Sequence, residues 1–232
     1  MTLHTGVRPT HGAAPGRILL LIGLLSLAGC TYALKYNPGY LAAARRPASA
    51  QTDGKALIYT TSEEDRYTFS GAPTSITGST TTAVVPVGEI VREAARAAFT
   101  DVFRGGADTA DTLGAAAGYR VIAEPRTVDF KYQYNQLRNL GFAITPIVEM
   151  TLEVRVLDAN GAMTWHRVYP SGEVSGPSYM VNLSPAEEIN KLAHKAAYDL
   201  LVKAAADIVT ELPPRGPAPA AAAGSAAAKP GS

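Results

Sequence analysis

The sequence predicts an α+β domain: a two-layer sandwich of mostly antiparallel sheet with two helices packed on one face. Three observations carry this expectation. Val87–Arg104 and Ser184–Glu211 each hold one apolar stripe at helical period, so each helix has a single face to bury. Phe142–Leu157 alternates strictly, with Val148, Met150, Leu152, Val154 and Val156 on one side and Glu149, Thr151, Glu153 and Arg155 on the other. That alternation belongs to a sheet covered on one side only. The order strand, helix, antiparallel strands, helix then lets one-faced helices and a one-faced sheet bury each other.

Along the chain, residues 1–29 are not fold. Arg8 and Arg17 make a positive leader, no acid precedes Asp53, and Ile18–Gly29 is an apolar run of 12 residues. A bilayer span needs roughly 20 residues, so this run reads as the core of a signal peptide. Residues 30–54 carry Pro38, Gly39, Pro47 and Gly54 with little periodicity, and read as a tether. The domain is expected over 55–212. Lys55–Thr61 reads as a short strand around Leu57-Ile58-Tyr59. Ser62–Thr82, rich in Ser, Thr and Gly, reads as a ragged strand near Arg66–Ser70 followed by a loop long enough to carry function.

Val87–Arg104 starts at Pro86 with Glu89 in its first turn and stops at Gly105-Gly106. Its Arg92 and Arg96 are either a ligand-facing pair or a solvated charged face. Gly118–Lys131 reads as a strand bulged near Pro125. Asp158-Ala159-Asn160-Gly161 turns the Phe142–Leu157 strand into a return strand over Met163–Tyr169. Ser184, Pro185 and Glu187 form a capping box for the last helix, and Pro213-Pro214 end it. Residues 213–232 are rich in Ala, Pro and Gly without a large apolar side chain, the composition of a disordered tail.

Composition excludes several functions. The formal net charge of +1 lacks the basic excess of a nucleic-acid binder, so no nucleic-acid partner is expected. One cysteine forms no internal disulfide and no Cys-rich zinc site. After residue 29 the only histidines are His166 and His194, both expected at the surface, and no HExxH, Gly-x-Ser-x-Gly, Ser-x-x-Lys or phosphate-loop pattern occurs. No catalytic residue, metal site or cofactor is therefore assigned, and a non-enzymatic role is expected. One cluster, Phe130–Asn139, interleaves aromatics with amides and bases. Its Tyr132, Tyr134, Asn135 and Arg138 are the candidate partner surface, since rings stack on sugars and amides bond hydroxyls. The alternative is a hairpin arm whose rings pack on a neighbouring strand.

The apolar run ends in Leu27-Ala28-Gly29-Cys30, which resembles the lipobox of bacterial lipoproteins. The resemblance implies cleavage between Gly29 and Cys30, diacylglycerol on the Cys30 thiol, and a second acylation of the freed amine. Two or more chains anchor a protein stably, whereas one holds it only marginally. Loss of Arg8 and Arg17 with the leader brings the side-chain charge to about −1, so lipid rather than a basic patch must do the anchoring. Thr31, not Asp, follows Cys30, which by the family's sorting rule implies the outer membrane, periplasmic face.

The helix leading into Gly118-Tyr119-Arg120-Val121, the antiparallel strands and the closing helix resemble YajG-type lipoproteins and the auxiliary lipoproteins of ABC-type transport systems. This resemblance implies a non-enzymatic accessory or scaffold that binds another envelope protein or peptidoglycan. The alternative is a glycan-, peptidoglycan- or lipid-binding module of an envelope transport or cell-wall system.

Overall fold

The computed structural model describes residues 30–46, 51–116, 118–136, 143–180 and 186–212. The chain runs β1 (Thr31–Ala33), α1 (Pro38–Ala44), β2 (Ala56–Tyr59), α2 (Ser62–Asp65), β3 (Phe69–Gly71), β4 (Thr82–Val85), α3 (Val87–Val102) and β5 (Ala107–Ala110). It continues through β6 (Val121–Asn135), β7 (Ala143–Leu157), β8 (Met163–Pro170), β9 (Val174–Ser175), β10 (Tyr179–Met180) and α4 (Ala186–Glu211).

The α+β sandwich is as the patterning predicts. The main sheet has the order β10-β7-β6-β2-β5. Its backbone is the long antiparallel β6–β7 pair, running from Ile122↔Leu157 to Asn135↔Thr145. β8, β9 and β10 cover the other edge of β7 in turn, opposite Thr151–Leu157, Ile147–Val148 and Ala143–Ile144. β2 pairs parallel with both β5 and β6, so this end of the sheet is mixed. The register shift lies between Thr127 and Asp129, past Pro125, which itself stays in register opposite Val154.

α3 and α4 pack against each other and on the same face of the sheet. Ile90, Phe99 and Phe103 from the first helix region, and Ile189, Leu201 and Ile208 from the second, are fully buried against Met150 and Leu152. At about 25 cal/mol per Å2 of apolar surface, burying each such side chain contributes on the order of 1.5–3 kcal/mol, and this apolar core drives the fold. The opposite face is wet and laced with charge: Arg155 meets Glu153 at 2.7 Å, Arg126 meets Glu64 at 3.1 Å, and Lys131 meets Glu149 at 3.2 Å. A small second cluster of Leu57, Ala116, Ile122 and Leu157 covers that face at one end.

Two expectations are corrected, and one strand is added. Residues 31–46 are not a tether: β1 and α1 are folded onto the domain. In Ser62–Thr82 the ragged strand expected near Arg66–Ser70 is β3 at Phe69–Gly71, but α2 precedes it and Thr82 already opens β4. β1 and β3 flank β4 in a separate three-stranded sheet, with Thr31 opposite Thr82 in parallel and Phe69 opposite Val85 in antiparallel. β5 was also unread, although it completes the parallel part of the main sheet. The capping box at Ser184-Pro185 and the tail at 213–232 lie outside the described residues.

Gly88 shows how tightly α2 is seated. A Cβ there would fall on the Glu64 carbonyl oxygen. Only glycine allows the backbone of α3 to approach so closely.

Candidate functional site

The segment from Cys30 to Arg46 is a strap, and its sequence explains why it folds. Asn37 caps α1 by accepting the Gly39 N–H at 2.9 Å, and Pro38 fills the first turn, where its missing N–H costs nothing. Leu41 follows on the inner side and is 5% exposed. The strap is held at three points. At its start, Cys30 accepts the Thr82 N–H at 2.9 Å and Leu34 donates to Val84 at 2.8 Å, which extends the β1–β4 pairing.

At its middle, the strap closes over His194. This residue was expected at the surface but is fully buried, because Tyr36 stacks on it at 5.4 Å and Tyr40 meets it edge-on at 5.7 Å. Nδ1 lies 2.8 Å from the Asn190 carbonyl, and Nε2 accepts the Asn37 N–H at 3.3 Å. This pattern assigns the neutral ring with its proton on Nδ1. Burial holds its pKa below the ordinary value, partly offset by the bond to the Asn190 backbone. Asn190 also donates to the Lys35 carbonyl at 2.8 Å, so one turn of α4 grips the strap twice.

At its end, Arg45 pairs with the buried Asp101 of α3, whose carboxylate also accepts the Tyr198 hydroxyl at 2.7 Å. Tyr198 in turn accepts the Arg46 N–H at 3.1 Å. Strap, α3 and α4 thus meet at one carboxylate.

Among the residues singled out from sequence, Cys30 is exposed and stands one residue before β1. Gly29 and Arg138 lie outside the described residues. Tyr132 and Tyr134 do not form a partner surface, being 1% and 5% exposed. The three-stranded sheet covers them: Phe69 meets Tyr132 edge-on at 6.0 Å, and the Tyr132 hydroxyl donates to the Gly71 carbonyl at 3.1 Å. The covering sheet combines β3, in the expected ragged strand, with β1 from the expected tether and with β4. Asn135 stays half-buried at the end of β6, beside Ile76.

The rings instead seat a turn. Thr74 donates its N–H to the Tyr132 carbonyl at 2.9 Å, Tyr134 donates its N–H to the Ser75 hydroxyl at 2.9 Å, and Thr77 donates to Gln136 at 3.1 Å. Gly78, at φ +80°, sits so close that a Cβ would lie 2.9 Å from the Tyr134 ring. Burial raises the Tyr134 pKa, and the neighbouring phenols Tyr132, Tyr179 and Tyr32 add to the rise. Tyr134 thus lies beneath the turn, with its ring edge-on to Tyr132 at 5.6 Å. At the apex of the turn Ile76 is 94% exposed.

A second recess, of about 550 Å3, lies outside the ends of β2 and β5 and is lined by Thr60, Ser62, Asp65, Arg66, Arg92 and Asp111. Two of its charges are already engaged: Arg92 pairs with Asp65 and, at 3.1 Å, with Glu93, while Arg66 donates to the Ser62 carbonyl at 3.0 Å. Arg92 and Arg96 are thus held by acids of their own surroundings, Arg96 meeting Glu93 at 2.9 Å. Among the described residues no three His, Cys, Asp or Glu side chains group as metal ligands, and no helix is long and apolar enough to cross a membrane.

The fold defines a two-layer α+β domain with a folded N-terminal strap. No family model matches the chain, and no curated protein matches it. Among solved structures it is similar to a neuraminyllactose-binding hemagglutinin homolog from Helicobacter pylori, with TM-score 0.41 and 6% identity over 71% of this chain and 92% of that one. It is also similar to a lipoprotein from Caulobacter crescentus (TM-score 0.31, 19% identity, 54% of this chain and 83% of that one). A minor lipoprotein from Acinetobacter baumannii is similar at TM-score 0.29 and 10% identity, over 68% of this chain and 90% of that one. Likenesses this distant carry no argument about function.

Proposed function

We propose that this chain is a lipid-anchored protein of the bacterial envelope, acylated at Cys30 and held on the periplasmic face of the outer membrane, where it acts as a non-enzymatic accessory or scaffold for another envelope component. One observation carries this reading: Leu27-Ala28-Gly29-Cys30 closes a 12-residue apolar run, and Cys30 is exposed directly ahead of the first strand. The anchor needs a thiol that the fold does not enclose, and the domain needs no cysteine for its core. The glycan-binding alternative loses its stacking rings, since Tyr132 and Tyr134 are core residues.

Cys30→Ser tests the anchor. Metabolic labelling with a radioactive fatty acid is expected to mark the wild-type chain and not the variant, and the variant is expected to accumulate as the uncleaved precursor. A variant that is cleaved and retained on the outer membrane like wild type overturns the reading. The scaffold role is tested by crosslinking the lipidated chain in cells, where one dominant envelope partner is expected and recovery of none above background counts against it.

A further inference from the structure

The strap determines where on the domain the Cys30 lipid would emerge. Cys30 is bonded to Thr82, and Thr81 closes the turn by donating to the Gly78 carbonyl at 2.8 Å. β10 pairs Tyr179 with Ile144 at the start of β7, next to Thr145, which faces Asn135 at the end of β6. Cys30, the Ile76 turn, the end of β6 and the start of β10 therefore share one end of the molecule.

That end is chemically distinct. Among the described residues, Ala72–Thr82, Tyr132–Gln136, Ala143–Val148 and Val174–Met180 carry no charged side chain, and Glu173, bonded to Gln133, stands at the margin; Arg138 lies outside the described residues. It presents Ser, Thr, Asn and Gln, with two bare apolar side chains: Ile76, 94% exposed, and Met180, 61% exposed. The opposite end, where β2 and β6 begin, is charged. There Lys55 meets Asp108 at 2.6 Å, Arg104 meets Asp53 at 2.7 Å, and Arg120 donates to the Asp53 carbonyl at 2.7 Å. β6 spans 15 residues, which at roughly 3.3 Å per residue separates the two ends by about 45 Å.

We propose that the hydroxyl- and amide-rich surface around the Ala72–Thr82 turn rests on the lipid bilayer and that Ile76, at the tip of that turn, inserts into the headgroup–acyl boundary beside the Cys30 lipid. The inference rests on the anchor reading above. A bilayer is the occupant because acyl chains leaving Cys30 must enter it within a residue or two of this surface. Charged side chains are costly at that depth, whereas hydroxyls and amides bond headgroups and an aliphatic tip gains by insertion. The turn is preorganised for this: four hydrogen bonds, from Thr74, Tyr134, Thr77 and Thr81, and the Gly78–Tyr134 contact hold its shape, so insertion orders little that is not already ordered.

The test uses the full lipidated chain. Once Cys30 carries lipid, Ile76→Cys supplies a unique thiol, and Asn160→Cys, in the β7–β8 turn at the far end, supplies the control. Each is labelled with a polarity-sensitive fluorophore and placed in phosphatidylethanolamine–phosphatidylglycerol vesicles containing a doxyl-quencher lipid. Mass spectrometry of the Cys30 peptide reports the acyl groups independently. The expected result is a blue-shifted label at 76, quenched about twofold or more over the label at 160. Equal, aqueous spectra for both labels on an acylated, vesicle-bound chain overturn the proposal and leave the anchor standing. Absence of acyl groups overturns both. A label at 76 that stays aqueous on vesicles and becomes buried only on addition of envelope protein assigns this end to a protein partner, and likewise overturns it. Ile76 makes no core contact, so melts of both variants are expected to match wild type and show that the fold is intact.

Discussion

Tyr198→Phe removes a single oxygen from a ring that is 1% exposed, and with it the joint between the strap and the two long helices. That oxygen donates to Asp101 at 2.7 Å and accepts the Arg46 N–H at 3.1 Å. A hydrogen bond to a charged group contributes about 1.5–3 kcal/mol and one between neutral groups about 1 kcal/mol. Arg46 lies at the surface, where water takes over as acceptor, but Asp101 is only 6% exposed, so it keeps Arg45 and gains no water in place of the lost hydroxyl. The carboxylate bond therefore dominates, and the loss is about 2–3 kcal/mol. For a chain of this size that lowers the melting midpoint by about 4–12 °C. Tyr40→Phe is the matched control, because its hydroxyl donates to Glu187 at 2.6 Å with the same chemistry in an exposed position. Exposed partners of this kind contribute under about 1 kcal/mol. Circular dichroism melts read the stability, and amide exchange at Leu41 and Arg45 reads release of α1. Equal shifts for the two variants, or unchanged exchange in Tyr198→Phe, refute the claim that burial of this joint holds the strap.

Three further outcomes follow from the same packing. His194 titrates below its ordinary value of 6.5 because it is buried as a neutral ring, so the unfolded chain binds more protons as the pH falls below 6.5. Its stabilising contribution is complete above that value and is lost on acidification, by up to about 1.4 kcal/mol per pH unit, and urea midpoints at successive pH values should show a shallower loss in His194→Gln than in wild type. Gly88→Ala drives a methyl group onto the Glu64 carbonyl and should cost about 1–3 kcal/mol, read as a lower urea midpoint with an unchanged slope. Tyr132→Ala should destabilise by about 3–5 kcal/mol, since it empties a core site, and its sedimentation with purified sacculi at a temperature where it stays folded should equal that of wild type.

The long elements were legible because their periodicity is strong and each repeats it many times. Val87–Val102 and the alternation across Ala143–Leu157 needed no tertiary information, since a stripe five positions long admits one period only. The short elements were legible only in part: β2 and a ragged β3 were, whereas β1, β4 and the sheet they make with β3 were not. β1, β3 and β4 are three or four residues each, too few to show a period, and they exist because they pair with one another. The omission of β1 and β4 propagated: with no second sheet in view, Tyr132 and Tyr134 had nothing to lie beneath and read as a surface. The strap carried one local signal, Asn37-Pro38 ahead of Leu41-Ala42-Ala43-Ala44, a cap and first turn before good helix formers. Its seven residues were outweighed by the Pro and Gly content around them. Burial of His194 was illegible in principle, because the rings that enclose it come from residues more than 150 positions earlier.

A folded strap changes what a lipid on Cys30 would do. A flexible segment as long as Thr31–Gly54 has a root-mean-square span of about 25–30 Å and leaves the domain free to turn in any direction. With β1 beginning at Thr31, that slack is reduced to a residue or two, and the anchor constrains orientation as well as position. The two properties separate by mutation. Tyr198→Phe loosens the strap at its far end and leaves Thr31–Ala33 paired to β4, so the orientation of the domain should survive while α1 exchanges faster. Thr82→Pro removes the N–H that Cys30 accepts and with it the first bond of the β1–β4 ladder. On acylated protein in vesicles, that change should diminish the difference between labels at positions 76 and 160 while leaving the amount bound unaltered. A retained difference would show that the strap's pairing to β4 does not set the orientation.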